Sequence, residues 1–246
     1  MENNRLKLET TSFSLHIMAT LFMLCDHLWG TIIAGNDWLT CIGRLAFPIY
    51  AFMIVEGYFH TKNLKKYVYR LLTFALISEI PFNLVMGSRI FYPIHQNVLW
   101  SFLISIGLIY WNEKSKNKNI WIRILTIILS ICAGYLVGII TFVDYYHAGI
   151  FMVLIFYFFR GRKWWCYLGQ LLCLWYINFE VLGGYSYMVD IFGKTYFIER
   201  QGFALLSLFP IWLYKGKQGH YSKNIKYIYY LFYPLHLLVL GLLKFL

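Results

Sequence analysis

Two neighbouring stretches, CDHLWG at residues 25–30 and IGRLAFPIYAF at residues 42–52, decide the fold of this chain. The first ends one strongly apolar segment with an acid and an imidazole, and the second places an arginine inside the next apolar segment. A charge at membrane depth costs about 2.5 to 3.5 kcal/mol on insertion scales. Each polar residue alone is explained as an interfacial anchor or a hydrogen-bonding group between helices, but together, at neighbouring depths, they favour a functional site.

The composition of the 246 residues indicates a multi-pass membrane protein. Hydrophobic residues make up 60% of the chain and charged residues only 13%, which is too little charge to cover a globule in water. The 22 Lys and Arg outnumber the 11 Asp and Glu, but they lie in short clusters between apolar runs, which is a topological signal and not a nucleic-acid-binding stripe. The first apolar run, residues 11–30, lacks a clear small-residue cleavage site, so we expect it to be retained as a spanning helix.

Nine apolar runs have a length typical of membrane-crossing helices. They predict an all-α fold class, a polytopic integral membrane helix bundle of about nine transmembrane helices, with residues 1–246 forming a single domain. The sixth and eighth runs are short, which favours tilted or partly re-entrant segments. The predicted helices cover residues 11–30, 39–59, 67–86, 96–111, 120–142, 147–159, 164–182, 201–214 and 226–245.

The distribution of basic residues assigns the two sides of the membrane. With a cytoplasmic N-terminus, the inner loops and adjoining helix ends hold most of the 22 Lys and Arg, as the positive-inside rule expects. This predicts a multi-pass protein of the cytoplasmic membrane with its N-terminus inside and its C-terminus outside. The outer segments hold only Arg89, Lys194, Arg200 and Lys244.

Polar residues from several connections fall at the outer level of the predicted bundle, since each residue advances a helix by about 1.5 Å. Separate connections thereby bring acids, imidazoles, an amide and a guanidinium to one depth, which favours a real polar cavity. The residues concerned are Asp26, His27, Arg44, Ser78, Glu79, His95, Gln96, Asn97, Asp144 and His147.

The inner face carries a basic cluster around the start of the third predicted helix. Lys66 and Arg70 share a helix face because they are four residues apart, and Lys65 and Tyr67 adjoin them. Such a cluster is suited to holding phosphates, with the forked guanidinium adding a bidentate grip. Short basic loops are also what keeps this side inside, which explains most of the lysines. That explanation does not cover Arg70, because Arg70 already lies within the helix.

Two later features leave alternatives open. His236 follows Pro234 near mid-depth, where it is either functional or simply hydrogen-bonded to a backbone carbonyl that the proline frees. The loop over residues 183–201 is either a lid over the outer cavity or, as we favour, an interfacial segment.

The chemistry of the outer residues is proton handling. The sequence shows no zinc-ligand motif, phosphate-binding glycine loop or dinucleotide fingerprint, and we expect no metal. An imidazole oriented by a carboxylate is suited to general-base catalysis at neutral pH, and a buried cation or amide stabilises an oxyanion. The orienting acid is Asp26, Glu79 or Asp144. Acyl transfer fits this set, but a proton-coupled transporter would use the same residue types.

Several segments, in order over nearly the whole chain, resemble the TraX family. Each segment is short, but the combination is specific. The segments are DH at 26–27, IGRLAFP at 42–48, EGY at 56–58, YVYRLL at 67–72, SEIPF at 78–82, HQNV at 95–98 and YLFYPLH at 230–236.

The resemblance implies an activity and a donor. The family is named for a protein that acetylates the N-terminus of conjugative pilin, and it is similar to larger membrane acyltransferases, including sugar O-acyltransferases and heparan-alpha-glucosaminide N-acetyltransferase. It implies that His27 is the catalytic base and that acetyl-CoA is the donor, with its phosphates at Arg70, Lys65 and Lys66. The natural acceptor, an amine or a hydroxyl, is not implied by any nearby sequence feature.

These expectations combine into a membrane-embedded acetyltransferase that moves acetyl from cytoplasmic acetyl-CoA to an outer amine or hydroxyl. His27 would deprotonate the acceptor, and Arg44 or Asn97 would stabilise the oxyanion. Tyr67 would join the donor site. The alternative is a non-enzymatic transporter or assembly factor that uses the same polar layer for permeation or docking. We expect the acceptor to be bound by His95, Gln96, His147 and His236.

Overall fold

The computed structural model describes residues 9–220 and 222–244. Arg5 and Lys7, two of the basic residues that the side assignment counts as cytoplasmic, lie outside these residues, as does the end of the last predicted helix at residue 245. The helices are α1 (Ser12–Thr31), α2 (Asp37–Gly43), α3 (Ala46–His60), α4 (Leu64–Gly87), α5 (Val98–Ser115), α6 (Ile120–Ile140), α7 (Tyr146–Phe158), α8 (Trp164–Tyr176), α9 (Leu208–Trp212) and α10 (Lys223–Leu243), and the strands are β1 (Ser186–Ile191) and β2 (Lys194–Glu199).

Side-chain caps fix where many of the helices begin. Thr11 and Ser14 form a reciprocal capping box at the start of α1, which satisfies amide groups that the first helical turn leaves unpaired. The Asn63 side chain accepts from the Lys66 amide at 2.9 Å at the start of α4. Asn97, Asn119 and Ser222 cap α5, α6 and α10 in the same manner.

The second predicted helix, residues 39–59, is two helices in the structure. The break falls at Arg44 and Leu45, between α2 and α3. Pro48 has no amide hydrogen to give to the Arg44 carbonyl four residues earlier, so the helical hydrogen-bond ladder is interrupted there. The arginine that the sequence places inside a helix therefore lies at a helix junction.

Most of the segment over residues 183–201, which was predicted to be a loop, is an antiparallel hairpin. Strands β1 and β2 pair from Ser186 with Glu199 to Ile191 with Lys194. The two-residue turn, Phe192 and Gly193, has positive φ angles of 51° and 74°, as the turns that suit the twist of a hairpin require. The all-α fold class therefore holds for the described chain apart from this hairpin.

Two other predicted helices are not uniformly α-helical. The run predicted over residues 164–182 is α8 followed by a π-helical turn, Ile177–Leu182. The run predicted over 201–214 is a 3₁₀ segment, Arg200–Ser207, that leads into the short helix α9. Both irregular segments flank the hairpin, and Gln201 of the 3₁₀ segment donates to the Asn178 side chain of the π-helical turn.

Three helical stretches among the described residues are long and apolar enough to cross a membrane. They are Asp37–His60, Leu64–Gly87 and Ile120–Ile140. With the overall apolar composition, they support a membrane protein. Nine crossings, and the side on which each terminus lies, stay predictions.

The centre of the bundle is formed by α3 and α7. Ile49 and Val55 on α3, and Ile150 and Met152 on α7, are fully buried. Helix α6 instead carries a broad exposed apolar face, with Ile140 69% exposed, as expected for a helix in contact with lipid. The interior is thus packed around α3, which follows the junction that carries Arg44, and α7, which follows the connection that carries Asp144.

The two ends of the bundle differ in their polar groups. We call the end that holds Asp26, Arg44 and Asp144 the polar end, and the end that holds Glu9 and Lys217 the basic end. At the basic end, Glu9 accepts from Lys215 at 2.9 Å and from Lys217 at 2.5 Å. These hydrogen bonds hold the pKa of the Glu9 carboxyl down to about 2.

Candidate functional site

Helices α1 and α2 meet closely at the polar end, and this contact positions Asp26. Its carboxylate accepts from the Thr40 hydroxyl at 2.6 Å and forms an ion pair with Arg44. A Cβ added at Gly43 would lie only 2.4 Å from the Asp26 Cβ, so the close approach of the two helices requires a glycine. Asp26 is therefore bound to α2 and the junction that follows it, and not to the adjacent His27.

Arg44 connects the helix junction to two distant segments. Its guanidinium donates to the Tyr145 hydroxyl and to the Gln201 side-chain oxygen, each at 3.4 Å. The remaining N–H groups donate to Asp26 and to the backbone and side chain of Thr40. With all five N–H groups directed to protein partners, Arg44 joins α1, α2, the start of α7 and the 3₁₀ segment around one cation.

The imidazole of His27 is paired with a second imidazole from α10. His27 Nδ1 lies 2.6 Å from His236 Nε2, and the two rings are nearly coplanar, with centroids 4.9 Å apart and planes within 10°. His236 Nδ1 lies 2.7 Å from the Phe232 carbonyl oxygen. His236 was predicted to bind the acceptor, but its two ring nitrogens are directed to protein groups.

His95 and Asp144 are brought together by a backbone bridge between the segments that precede α5 and α7. The Gln96 amide donates to the Phe142 carbonyl at 2.8 Å, and the Asp144 amide donates to the Gln96 carbonyl at 2.9 Å. This pairing places His95 Nε2 3.2 Å from Asp144 Oδ1. The Gln96 side chain donates to the Pro93 carbonyl instead, so Gln96 contributes through its backbone.

The connection between α6 and α7 is unusually strained. Phe142, Tyr145 and Tyr146 have positive φ angles of 51°, 59° and 48°, although none of them is a glycine. Such conformations cost about 1 to 3 kcal/mol each and cluster at functional sites. The strained backbone carries Asp144 and Tyr145, which contact His95 and Arg44 respectively.

Glu79 is held by residues of α5 and its cap. Its Oε2 accepts from the Asn97 amide group and from the Trp100 indole, the latter at 3.0 Å. Asn97 donates its second amide hydrogen to the Ala75 carbonyl at 2.9 Å. Both Asn97 hydrogens are therefore used, so these contacts give no support to the predicted role of Asn97 as an oxyanion donor. Within the described residues, the buried Oε1 of Glu79 has no hydrogen-bond partner.

His147 lies away from these groups. Its ring packs on Tyr135 of α6, with centroids 4.8 Å apart, and on Phe151 of its own helix. No described residue is hydrogen-bonded to its buried Nδ1. The predicted role of His147 in acceptor binding therefore has no support from its position between α6 and α7.

None of the three candidate acids is hydrogen-bonded to the His27 ring in the described part of the chain. Asp26 binds Arg44 and Thr40, while Asp144 binds His95. Their charges and that of Arg44 still act on His27 through space. The side chain that orients His27 directly is His236.

A cavity of about 500 Å³ connects the basic end to the region below the imidazole pair. His60, Arg70 and His220 line it near the basic end, and Met23 and Tyr233 line its far part. Met23 lies one helical turn before His27 on α1, and the Tyr233 ring is 5.9 Å from the His236 ring. The lining between these regions is mostly apolar and aromatic.

The predicted donor-site residues divide into two groups. Arg70 and Tyr67 line the cavity. The Arg70 Nε is buried and has no hydrogen-bond partner in residues 9–220 and 222–244. Lys65 and Lys66 are exposed on the surface and do not line the cavity. The structure thus offers one guanidinium, and not the neighbouring lysines, to an anion in the cavity.

Several contact residues of the polar end were missed in the sequence. Thr40 is four residues before Arg44, a spacing that places both on one helix face, and Tyr145 follows Asp144 directly. These two positions were detectable from their neighbours. Gln201 and Trp100 carry no such signal, because their contacts with Arg44 and Glu79 depend on tertiary packing.

Comparison with known proteins gives one family and one distant relative. A protein-family model described as TraX protein matches residues 12–244. The chain is similar to the Probable fimbrial assembly protein FimC, serogroup H1, of Dichelobacter nodosus, with 26% identity over 259 residues that cover 95% of this chain and 95% of the relative. No solved structure matches the chain. The family match includes both imidazoles and every residue that lines the cavity.

Proposed function

The chain belongs to the TraX family, and from this premise we propose that it is a membrane acetyltransferase. It transfers acetyl from acetyl-CoA, bound from the basic end, to an amine or hydroxyl at the polar end. The observation that carries the proposal is the cavity that leads from Arg70 to within one helical turn of His27. A donor that enters from the cytoplasm and reacts near the opposite face needs such a passage.

The donor site follows from the two parts of the cavity. Acetyl-CoA is anionic at its nucleotide end and neutral along its pantetheine arm. Arg70 at the basic end supplies a guanidinium for phosphate oxygens, and the apolar, aromatic lining accommodates the neutral arm. The thioester then lies toward Met23 and Tyr233, closest to the imidazole pair.

The transfer step uses His27 as the general base. Its imidazole takes a proton from the acceptor amine or hydroxyl while the acceptor attacks the thioester carbonyl. The tetrahedral intermediate then expels the CoA thiolate, which takes the proton from the His27 imidazolium. The carbon–sulfur bond breaks, an amide or ester bond forms, and the base returns to its starting state.

Arg44 and Tyr145 stabilise the oxyanion together. All the Arg44 N–H groups have protein partners, so Arg44 acts through its positive charge and through Tyr145. The Tyr145 hydroxyl accepts from Arg44, which leaves its own proton to donate. The pair formed by His95 and Asp144 borders this region and is the part of the polar end suited to binding the acceptor.

Replacement of His27 tests the proposal. Purified protein is incubated with acetyl-CoA and a set of peptides, small amines and sugars, and acetylated products are identified by mass spectrometry. His27→Gln should lower the rate about 10²- to 10⁴-fold, as is typical for loss of a general base. His147→Gln is the matched control, since the His147 ring packs on Tyr135 and Phe151 and does not line the cavity. Unchanged turnover in a folded His27→Gln protein rejects the assignment.

Donor binding is tested separately from turnover. At a hundredfold its Kd, acetyl-CoA should stabilise the folded protein by about 2.7 kcal/mol, seen as a rise in thermal unfolding temperature. Arg70→Gln should abolish most of this rise, while Lys65→Gln and Lys66→Gln should change it little. Equal losses in all three variants would contradict a site inside the cavity.

An assembly factor without enzymatic activity is the second candidate. The name of the Dichelobacter nodosus relative refers to fimbrial assembly, and the hairpin exposes Phe192 completely and Phe197 by 67%, as a docking surface would. This candidate predicts no thermal shift with acetyl-CoA. It also predicts that replacing Phe192 and Phe197 by Ser abolishes the assembly activity, whereas His27→Gln leaves that activity intact.

A further inference from the structure

We infer that His236 is a positioning residue that fixes the tautomer of His27, so that the basic lone pair of His27 is at Nε2. The inference rests on the proposed role of His27 as the base. It is carried by a chain of two short contacts, from the Phe232 carbonyl through His236 to His27.

The first contact determines where His236 carries its proton. A carbonyl oxygen only accepts hydrogen bonds, and the Phe232 oxygen lies 2.7 Å from His236 Nδ1. If Nδ1 were unprotonated, two lone pairs would face each other at this distance. His236 therefore has its hydrogen on Nδ1.

The second contact passes this constraint to His27. His236 is 8% exposed, and its ring lies against those of Phe232 and Tyr233, so a charged imidazole there would be costly. Neutral His236 with its hydrogen on Nδ1 has an unprotonated Nε2, which accepts. His27 Nδ1, 2.6 Å away, must then be the donor.

The proton-accepting atom of His27 is therefore Nε2. No group in residues 9–220 and 222–244 is hydrogen-bonded to this nitrogen. When Nε2 takes a proton, the bond from His27 Nδ1 to His236 becomes charge-assisted and stronger. His236 thus stabilises the imidazolium that forms during transfer, and the short in-plane contact with His236 limits rotation of the His27 ring.

The arrangement assigns to an imidazole the orienting role for which we had expected a carboxylate. Asp26 is the nearest acid in sequence, but it is bound to Arg44 and Thr40. A neutral partner fixes the tautomer without adding a second buried charge beside His27. The constraint also runs in one direction, since the Phe232 carbonyl fixes the tautomer of His236 and His236 then fixes the tautomer of His27.

A pair of variants of similar size tests the role of His236. Gln at position 236 keeps an acceptor near the place of Nε2, whereas Met does not. His236→Met should lower kcat about 10- to 100-fold, the size of effect seen for partners that orient metal-binding imidazoles, with little change in the KM for acetyl-CoA. His236→Gln should stay closer to the parent protein. Thermal unfolding of the parent protein and both variants, measured in one detergent, checks that the variants are folded.

Nitrogen NMR of protein with ¹⁵N-labelled histidine rings gives a readout that does not depend on turnover. In the parent protein, His27 should show a protonated Nδ1 and an unprotonated Nε2, assigned by the signals lost in His27→Gln. In His236→Met the two tautomers should mix. A parent His27 protonated at Nε2, or a folded His236→Met protein with parental kcat and tautomer, overturns the inference.

The two proposals fail in different ways. If the parent protein shows the expected tautomer but neither binds acetyl-CoA nor acetylates any acceptor, the transferase proposal fails while the assignment of the tautomer is upheld. If transfer depends on His27 but the tautomer is the opposite one, the role of His236 is rejected and the transferase proposal stands.

Discussion

Two acids at opposite ends of the bundle have similar partners but different surroundings. Asp26 at the polar end is paired with Arg44, and their side chains are 20% and 15% exposed. Glu9 at the basic end is paired with Lys215 and Lys217, whose side chains are 42% and 64% exposed. The first pair joins packed helices, whereas the second ties the segment before α1 to the segment after α9.

The two ends differ in the surroundings of the charge that remains when one member of an ion pair is removed. Water reaches the lysines at the basic end, and Glu9 keeps one lysine partner when the other is removed, so each of these pairs contributes little. At the polar end, removing a partner leaves a charge that the surrounding helices do not solvate. The same residue chemistry therefore serves as an attachment at one end and as a structural requirement at the other.

Removing the charge of Arg44 should have the largest effect. Arg44→Met leaves Asp26 without its cation and frees groups on Tyr145 and Gln201, so we expect a loss of about 3 to 5 kcal/mol in the free energy of unfolding. Denaturant titration in detergent measures this loss.

The double variant Asp26→Leu with Arg44→Met serves as the control for charge burial. It removes both charges, and replacing a whole buried pair by apolar residues is often close to neutral. It should therefore be more stable than Arg44→Met alone. Equal instability of the two proteins would show that the other Arg44 contacts, and not the unpaired Asp26, account for the loss.

Substitution of Gly43 should have an intermediate effect at the polar end. Gly43→Ala places a Cβ 2.4 Å from that of Asp26 and forces α1 and α2 apart, at a cost of about 1 to 3 kcal/mol. Gly107→Ala is the matched control, because a Cβ there has no heavy atom within 4 Å and the change should stabilise helix α5 by up to about 1 kcal/mol. Unfolding titrations should show a lower free energy of unfolding for Gly43→Ala and a higher one for Gly107→Ala.

The smallest effect is expected at the basic end and depends on pH. The pKa of Glu9 is lowered from its usual value of about 4.5 to about 2, chiefly by the hydrogen bond from Lys217 and then by that from Lys215. Its contribution to stability is therefore fully present above about pH 4.5 and is lost as the pH falls toward about 2.

Thermal unfolding of the parent protein and Glu9→Gln measures this dependence. The parent should be slightly more stable at neutral pH, and the difference should disappear as the pH falls through that window. Lys217→Met should narrow the window, since it removes the largest cause of the lowered pKa. A difference between parent and Glu9→Gln that is constant over the whole range would contradict the pairing at the basic end.

The helical class and several helix bounds could be predicted from apolar runs. The predicted spans 11–30 and 120–142 correspond to Ser12–Thr31 and Ile120–Ile140, because the length of an apolar run is a local property. The break before α3 was missed although Pro48 gives a local signal for it. The hairpin was missed because its exposed aromatic residues suggest an interfacial segment as readily as paired strands.

The level of the polar residues could be predicted, but not the way in which they pair. Helical rise places Asp26, His27 and Arg44 at similar depths, and no sequence rule then decides that Asp26 binds Arg44 while His27 binds His236. Those choices depend on the rotation of each helix and on how closely α1 approaches α2. The positive φ angle of Tyr145 could not be predicted either, because the sequence has no glycine at this position to indicate it.

The contact between His27 and His236 joins residues 209 positions apart. During synthesis, α1 is made long before α10, and the helices between them are made and inserted in the interval. The nascent chain therefore carries the first imidazole without the one that orients it. By this geometry, the reactive centre is completed only after α10 has left the ribosome and packed beside α1.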